Sequence, residues 1–352
     1  MPPPPASRPA PPPLEELLAD AHVVRLPMRL RFRGIEEREA VLLRGPAGWA
    51  EFSPFPEYGD REASAWLAAA IESGWDRTLP RLREGRVRVN ATVPAVPARR
   101  VPEVLARFGD CRTIKVKVAE RGQGLDEDLA RLAAVRRAAP EARLRVDANA
   151  AWDEERAERA LTAFAPFGLE YAEQPVAGVA AMARLRARLR DRGVGVPIAA
   201  DESVRRARDP LAVARAGAAD VLVVKVQPLG GVRRALELVR EAGLPATVSS
   251  ALDTSVGIAA GAQLAAHIAR ELDGGVQRYD AGLGTASLLA ADVAVRPLRP
   301  QDGELPLEAV EVDEQALRRS AAPPERAAWW QRRLARCHAL LADPEGTSVP
   351  ED

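Results

Sequence analysis

The sequence predicts an α/β protein in which a closed barrel of alternating strands and helices follows a small α+β unit. Short apolar runs typical of strands recur between residues 87 and 251, and amphipathic stretches typical of helices separate them. This alternation predicts parallel strands joined by helical crossovers. Seven such units, and a weaker eighth at residues 276–284, suit a (β/α)8-type barrel of the usual size of about 250 residues.

Each strand-like run is short and is flanked by polar or turn-forming residues. The runs are VRVNATVPAV (87–96), TIKVKV (113–118), ARLRVDAN (142–149), GLEYAEQP (168–175), VPIAADES (196–203), ADVLVVKVQP (219–228) and LPATVSSA (244–251). Between the second and third runs, four apolar residues have the spacing of a helix with one buried face: Leu125, Leu129, Leu132 and Val135. A helix is also expected in PLAVARAGA (210–218).

The regions outside the barrel, assigned to residues 87–300, have different patterns. Residues 14–86 are expected to form the α+β unit, with antiparallel strands that turn at Arg33-Gly34 and at residues 45–48. Residues 301–341 are expected to pack outside the barrel or back on this unit. The terminal residues, 1–13 and 342–352, are predicted to be disordered, the first of these tails being rich in proline.

The charge balance excludes several kinds of partner. With 50 acidic and 50 basic residues, the chain lacks the basic excess that binding to nucleic acid or an anionic membrane requires. No apolar stretch approaches the roughly 20 residues that span a bilayer, and the N-terminus lacks the apolar run of a signal peptide. Cys111 and Cys337 are far apart, so reduced thiols and a cytoplasmic location are expected. The sequence does not predict an oligomeric state.

Lysine is unusually rare in this sequence. Only three of the 50 basic residues are lysines, namely Lys115, Lys117 and Lys225, and the rest are arginines. A guanidinium group, with a pKa above about 12, cannot act as a base, whereas the pKa of a buried amine can be lowered toward neutrality. These lysines are therefore candidates for proton transfer.

Charged residues close five successive strand-like runs. They are Lys117, Asp147, Glu173, Asp201 and Lys225, at spacings of 30, 26, 28 and 24 residues, one strand–helix unit each. The C-terminal ends of barrel strands meet at one mouth, where active sites of such barrels lie. Lys115 shares a strand face with Lys117 because side chains alternate along a strand. We therefore expect all six groups to converge.

Each charged residue alone has an ordinary explanation, such as a solvated loop position or, for Asp147 and Asp201, a helix N-cap. Charges within otherwise apolar runs on successive units are better explained by pairing or by a metal ion. Three carboxylates without histidine or cysteine suit Mg²⁺, or Mn²⁺, rather than zinc. Such an ion stabilises the enolate that forms when a proton is removed next to a carboxylate. Lys115 and Lys117 are expected to lower each other's pKa.

Five motifs together resemble the muconate-lactonizing-enzyme-like branch of the enolase superfamily. They are KVK (115–117), VDANAAWD (146–153), EYAEQP (170–175), ADES (200–203) and VVKVQPLGG (223–231). Within that branch, FRGIEEREAVLLRG (32–45), GWAEFSPFPEYG (48–59) and VSSALDTSVG (248–257) resemble the o-succinylbenzoate synthases of the actinobacterial type. The resemblance implies a modified TIM barrel, (β/α)7β, with an N-terminal α+β capping domain.

The resemblance also implies a reaction on a small carboxylate. The reaction is the syn-dehydration of 2-succinyl-6-hydroxy-2,4-cyclohexadiene-1-carboxylate to 2-succinylbenzoate in menaquinone biosynthesis. It implies that Lys117 removes the α-proton and protonates the leaving hydroxide, that Lys225 stabilises the enediolate, and that Lys115 tunes Lys117. The other implied residues are the Mg²⁺ ligands Asp147, Glu173 and Asp201, their supporting neighbours Asn149 and Glu202, and the substrate contacts Arg33, Ser249, Ser250, Gly284 and Thr285.

Two alternatives remain open from the sequence. An N-succinylamino-acid racemase would use Lys117 and Lys225 as bases on opposite faces of its substrate, and one enzyme can perform both reactions. A non-catalytic barrel is the other alternative, but such a protein is expected to have lost at least one of the six charged groups.

Overall fold

The computed structural model describes residues 11–32, 34–207 and 209–343. Its N-terminal part is an antiparallel sheet in the order β1-β2-β3, with Val41 of the central strand paired to both Val23 and Phe52. The strands are β1 (Ala21–Phe32), β2 (Ile35–Gly45) and β3 (Gly48–Phe52), and the helices beside them are α1 (Leu14–Ala19) and α2 (Asp60–Trp75). The predicted α+β unit, referred to below as the cap, is confirmed.

A parallel sheet of seven strands forms the barrel, and its strands follow their order in the chain. After β4 (Arg86–Arg88), they are β5 (Ala91–Val93), β6 (Thr113–Lys117), β7 (Arg143–Asp147), β8 (Leu169–Glu173), β9 (Ile198–Ala200), β10 (Val221–Val224) and β11 (Ala246–Val248). Apolar side chains such as Ile114 and Val116 alternate with the lysines of β6 and pack into the main core. The predicted α/β barrel is confirmed.

The eighth unit closes the barrel without forming a regular strand. Ala281 makes a parallel bridge to Val89, just before β5, and Gly282 makes another to Ser249, just after β11. A Cβ atom at Gly282 would lie 2.6 Å from the hydroxyl oxygen of Ser249, so a larger residue would force Ser249 to move. Two bridges therefore replace the strand expected from the weak pattern at residues 276–284.

Helices fill the crossovers between the strands. They are α3 (Val101–Leu105), α4 (Leu125–Ala138), α5 (Glu154–Phe164), α6 (Val179–Asp191), α7 (Glu202–Arg205), α8 (Ala212–Arg215), α9 (Val226–Leu229), α10 (Val232–Ala242) and α11 (Ser255–Glu271). In α4, Leu132 and Val135 are fully buried and Leu125 and Leu129 pack beside them, as predicted. The helix expected at residues 210–218 is shortened to one turn, since Pro210 precedes it and Gly217, at φ +55°, follows it.

The C-terminal segment packs against the cap. Its elements are β12 (Glu304–Pro306), which pairs with β4, α12 (Glu314–Arg319) and α13 (Pro324–Ala342). In α13, Trp330 is fully buried and packs edge-on against Phe52, with ring centroids 5.9 Å apart. The domain boundaries at residues 14, 87 and 301 stay predictions, and most of both predicted tails lies outside the described residues.

Two smaller observations concern cysteines and membranes. Cys111 and Cys337 are both free thiols. Within the described ranges, every helix is too short or too polar to cross a lipid bilayer.

Candidate active site

The predicted charged residues meet at the C-terminal edge of the barrel sheet. Lys117, Asp147 and Glu173 are the last residues of β6, β7 and β8, and they are neighbours in the strand register. Asp201 and Lys225 directly follow β9 and β10. All these side chains and that of Lys115 are buried, which brings six charged groups together at one mouth. We call these six side chains, three amines and three carboxylates, the amine cluster.

Each lysine of the amine cluster is paired with a carboxylate. The Lys115 amine lies 2.9 Å from Glu173 Oε2 and 3.5 Å from Asp147 Oδ2. Lys117 donates to Asp147 Oδ2, and Lys225 donates to Asp201 Oδ2 over 2.6 Å. Among the described residues, no three His, Cys, Asp or Glu side chains already form a group arranged around a metal ion. The carboxylates are instead interleaved with the amines.

The two aspartates do not act as helix N-caps. Asp201 precedes α7, but its side chain accepts from Lys225 and, over 2.9 Å, from Arg205 Nε. The N-cap of α5 is Asp153, six residues after Asp147. The alternative explanation of these aspartates as capping residues is therefore wrong.

Glu173 is the carboxylate least satisfied by its surroundings. Burial, followed by the nearby charges of Asp147 and Asp201, raises the pKa of Glu173 to about 7, although Lys115 opposes the shift. Its Oε1 atom is buried without a hydrogen-bond partner. A buried, unpartnered carboxylate oxygen beside two other carboxylates matches the hard oxygen ligands that a divalent cation requires.

The other shifts follow from the ion pairs. Burial raises the pKa of Asp147, but Lys117 and Lys115 outweigh it, so the net pKa lies well below its usual range. Burial lowers the pKa of Lys115, yet Glu173 and Asp147 outweigh that effect and raise it above its ordinary value. The predicted lowering of the pKa is therefore wrong for Lys115, because its amine pairs with the opposite charges of Glu173 and Asp147.

Asn149 and Glu202 form a second layer beside the amine cluster. Asn149 Oδ1 accepts from the Lys117 amine over 2.6 Å, and its Nδ2 atom donates to Glu202 Oε1 over 3.3 Å. Asn149 has a left-handed φ of +47°, which turns the chain directly after β7. Glu202 also accepts from Arg205 over 2.7 Å. Arg205 was not among the residues predicted from the sequence. Its position four residues after Asp201 could have indicated it, because residues at this spacing are neighbours on a helix.

A cavity opens above the amine cluster. Its charged and amide lining is Lys115, Lys117, Lys225, Asp147 and Asn149, and its other lining includes Ser249, Ser250, Thr285, Phe32, Phe55, Thr92 and Leu252. Glu173, Asp201 and Glu202 lie behind this lining. The rings of Phe32 and Phe55 come from the cap, so both parts of the chain form the cavity.

The predicted substrate contacts divide into three groups. Ser249, Ser250 and Thr285 line the cavity, and the hydroxyls of Ser250 and Thr285 are 2.6 Å apart. Gly284 is not part of the lining, and a Cβ atom there would lie 2.8 Å from the Asn90 carbonyl oxygen, so its glycine serves backbone packing. Arg33 lies outside the described residues.

Two domain families and several known proteins match this chain over most of its length. Residues 98–315 match the domain family described as enolase C-terminal domain-like, and residues 23–74 match enolase N-terminal domain-like. An o-succinylbenzoate synthase of Mycolicibacterium smegmatis is 52% identical to this chain over 94% of it and 98% of the relative. That of Mycobacterium leprae is 51% identical over 97% of this chain and 99% of the relative.

Solved structures with a similar fold have lower sequence identity. A 2-chloromuconate cycloisomerase from Rhodococcus opacus is 26% identical, with a TM-score of 0.69 over 86% of this chain and 98% of that one. A muconate lactonizing enzyme from Pseudomonas putida is 22% identical, with a TM-score of 0.65 over the same shares, and is similar in fold alone.

Proposed function

Because this chain belongs to the o-succinylbenzoate synthase family of the enolase superfamily, we propose that it is a hydro-lyase of menaquinone biosynthesis. The reaction is the syn-dehydration of 2-succinyl-6-hydroxy-2,4-cyclohexadiene-1-carboxylate to 2-succinylbenzoate. The observation that carries the proposal is the position of Lys117 and Lys225, whose buried amines line one cavity and are held by different carboxylates.

Lys117 is the proposed proton carrier. Its amine takes the proton from the ring carbon that bears the carboxylate and returns it to the hydroxide leaving the neighbouring carbon, so that water is lost and the ring becomes aromatic. One amine can serve both steps because a syn elimination removes both groups from the same face. Asp147 and Asn149 hold this amine, which also lies 5.1 Å from the centre of the Phe32 ring.

Lys225 is the proposed opposing cation. It faces the enediolate that forms after proton removal and stabilises its negative charge. Asp201 holds the Lys225 amine, and Arg205 binds the other oxygen of Asp201. Arg205 therefore positions Lys225 indirectly.

Asp147, Glu173 and Asp201 are the proposed ligands of Mg²⁺, or of Mn²⁺ in its place. The unpartnered Oε1 atom of Glu173 supports this assignment. When bound, the ion stabilises negative charge on the substrate carboxylate. Lys115 contributes a charge close to Glu173 and Asp147, and the proposal that it tunes Lys117 rests on their shared strand face.

The hydroxyl groups of Ser249, Ser250 and Thr285 are proposed to receive the succinyl tail. They lie on the loops that follow β11 and the closing segment, and each lines the cavity. Asn149 and Glu202 are proposed to hold Lys117 and the carboxylates in place from the second layer. The predicted cytoplasmic location stays a prediction.

Product formation with and without a metal chelator tests this proposal. The purified chain should form 2-succinylbenzoate, detected by its aromatic absorbance, and EDTA should abolish turnover until Mg²⁺ is restored. Turnover that is unaffected by EDTA would contradict the metal assignment. Failure to form product under all conditions would favour the non-catalytic barrel.

N-succinylamino-acid racemisation is a second candidate because two separately anchored amines, those of Lys117 and Lys225, line the cavity. A racemase needs a base on both faces, whereas the dehydration needs only one. Comparing kcat/KM for the cyclohexadiene substrate and for an N-succinyl amino acid separates the two functions. We expect dehydration to dominate, and a higher kcat/KM for the amino acid would overturn that assignment.

A further inference from the structure

A buried set of polar side chains joins the cap to two loops of the barrel. We call it the seam network, and its members are Glu51 and Ser53 of the cap, Gln227, which follows Lys225 by two residues, and Asp253 and Thr254, which follow β11. The Glu51 carboxylate accepts from the backbone N–H and the hydroxyl of Thr254 over 3.0 and 2.6 Å. This network lies outside the amine cluster and takes no part in the proposed proton transfers.

Gln227 stands at the centre of the seam network and uses both ends of its amide. Its Oε1 atom accepts from the backbone N–H of Ser53 over 3.1 Å. Its Nε2 atom donates to Asp253 Oδ1 over 3.0 Å and to the Ser53 hydroxyl oxygen over 3.1 Å. The side chain is only 5% exposed, so water cannot replace these bonds without cost.

We propose that Gln227 is a positioning residue that couples docking of the cap segment 51–55 to the placement of the Lys225 amine, an inference that rests on the proposed function. Gln227 lies in α9, for which Lys225 is the N-cap residue. In the other direction it holds Ser53, two residues before Phe55, whose ring lines the cavity.

Contacts of a buried arginine also link the cap segment to the loop after β11. Arg38 of β2 is almost fully buried, donates to the Ser53 carbonyl oxygen and donates over 3.3 Å to the Leu252 carbonyl oxygen. Its guanidinium also lies 4.5 Å from the centre of the Phe55 ring. Leu252 and Phe55 both line the cavity, so movement of the cap segment would reshape the substrate site.

The chemistry of the seam explains why an amide suits position 227. The groups facing Gln227 include two carboxylates, Glu51 and Asp253, and the nearby cations are Arg38 and Lys225. A third carboxylate would repel the first two, and an apolar side chain would leave the Ser53 N–H without its partner and remove a donor to Asp253. An amide both accepts and donates while remaining uncharged at every pH.

Three variants test the proposal. Replacing the amide by a side chain of similar size, Gln227→Leu, should lower kcat/KM by about ten- to a hundredfold, because buried partners are left unsatisfied. The matched control is Gln263→Leu, since the Gln263 amide similarly accepts from and donates to the backbone of Leu82, both over 2.8 Å, and takes no part in the active site. This control should retain the kcat/KM of the parent.

The third variant, Gln227→Glu, is tested by the pH dependence of its kcat/KM, which a purely structural role would not change. The introduced carboxyl group should be ionised and repelled at high pH, whereas its protonated form both donates and accepts as the amide does. The ratio of its kcat/KM to that of the parent should therefore rise as the pH falls, and by more than the same ratio for Gln227→Leu, which introduces no carboxyl group.

Several outcomes would overturn the coupling. They are equal losses in the two Leu variants, or a Gln227→Glu ratio that does not change with pH. If Gln227→Glu fails to fold, Ser53→Ala replaces it, and its loss of kcat/KM should be smaller when Gln227 is already leucine; simple additivity would refute the coupling. Inactivity of the parent would count against the proposed function alone, because hydrogen exchange at the Ser53 amide can be measured without substrate. Exchange of this amide should be faster in Gln227→Leu than in the parent, since its acceptor has been removed.

Discussion

Buried charges occupy both ends of the barrel, and the two groups differ in chemistry. The amine cluster lies at the C-terminal ends of the strands, below a cavity. At the N-terminal ends, Asp280 binds the Arg88 guanidinium over 2.8 Å, the Thr113 hydroxyl over 2.7 Å and the Arg143 guanidinium over 3.1 Å. We call Asp280, Arg88, Arg143 and Arg145 the guanidinium cluster.

The guanidinium cluster is organised for permanent pairing. Arg145 is fully buried, donates to the Asp280 carbonyl oxygen over 2.7 Å and lies 4.7 Å from the centre of the Tyr171 ring. None of its members lines the cavity above the amine cluster. Burial of charge is therefore not in itself a sign of catalysis in this barrel. The type of cation distinguishes the two ends, since a guanidinium keeps its proton and an amine can exchange one.

Exchanging the cation at the catalytic end should have the largest effect. Lys117→Arg keeps a positive charge near Asp147 but cannot cycle a proton, so kcat should fall by about a thousandfold. Single-turnover and steady-state product formation measure this loss, and an unchanged melting temperature would show that the fold is retained. Near-parent turnover would mean that another group is the base.

The second largest effect is expected on metal binding, when a carboxylate is removed from the amine cluster. For Glu173→Gln, the Kd for Mg²⁺ in calorimetry should rise by about 100-fold, because a direct ligand matters at least as much as the surrounding groups usually do. Asp280→Asn is the matched control, and its Kd should equal that of the parent. Equal Mg²⁺ binding in Glu173→Gln and the parent would remove Glu173 from the ligand set.

The same control variant should reveal what the guanidinium cluster contributes. Asp280→Asn should lower the free energy of unfolding by about 2 kcal/mol, less than for a fully buried ion pair because Arg88 and Arg143 are partly exposed. Urea denaturation measures this loss. The kcat/KM of Asp280→Asn should remain close to that of the parent. A large loss of activity with an unchanged stability would contradict the assignment of the guanidinium cluster to stability and not to catalysis.

Lys225→Arg should have a smaller and reaction-specific effect. Dehydration should decrease by about tenfold, since a cation remains but its geometry changes. Racemisation of an N-succinyl amino acid should disappear, because it requires a base on that face. Assays of both reactions on one preparation make the comparison, and equal losses would indicate that Lys225 acts as a base in dehydration as well.

The seam network contains a carboxyl group whose ionisation should make the stability of the fold depend on pH. Burial and the charge of Glu51 raise the pKa of Asp253 to about 7, far above the value of about 3.9 in an unfolded chain. The folded protein therefore binds the Asp253 proton more tightly than the unfolded chain does. Its contribution to the free energy of unfolding is complete below about pH 4 and is lost as the pH rises through 7.

Asp253→Asn should consequently be less harmful at high pH than at low pH. Relative to the parent, its free energy of unfolding should improve by about 2 to 3 kcal/mol between pH 5 and pH 8, since the parent loses the equivalent of roughly two pKa units at 1.36 kcal/mol each. Urea denaturation at both pH values checks this change. A difference that is independent of pH would show that Asp253 is ionised throughout.

Local patterns predicted much of the fold and the six groups of the amine cluster. Strand alternation placed Lys115 and Lys117 on one face, and the spacing of one unit placed Asp147, Glu173 and Asp201 at one edge. These features depend on the period of a strand and on the geometry of parallel sheets, which are visible along the chain.

Partners brought together only by folding were not predictable in this way. Glu51 binds Thr254 across 203 residues, and Ser53 binds Gln227 across 174 residues. Their pairing depends on how the cap docks on the barrel. The same limit applies to Lys115, whose pKa reflects the distances to two carboxylates rather than its neighbour in the sequence.

Barrel closure by Ala281 and Gly282 has a consequence for the order of folding. Until these residues have been synthesised, the β5 and β11 edges of the sheet have no partners, and unpaired edges promote association between chains. The closing contacts are also highly non-local, since the Arg88 backbone binds Gln277 across 189 residues. Closure of such loops is slow because their entropy is lost before the contacts form. We therefore expect the substrate mouth, including Thr285, to be completed late in the folding of the nascent chain.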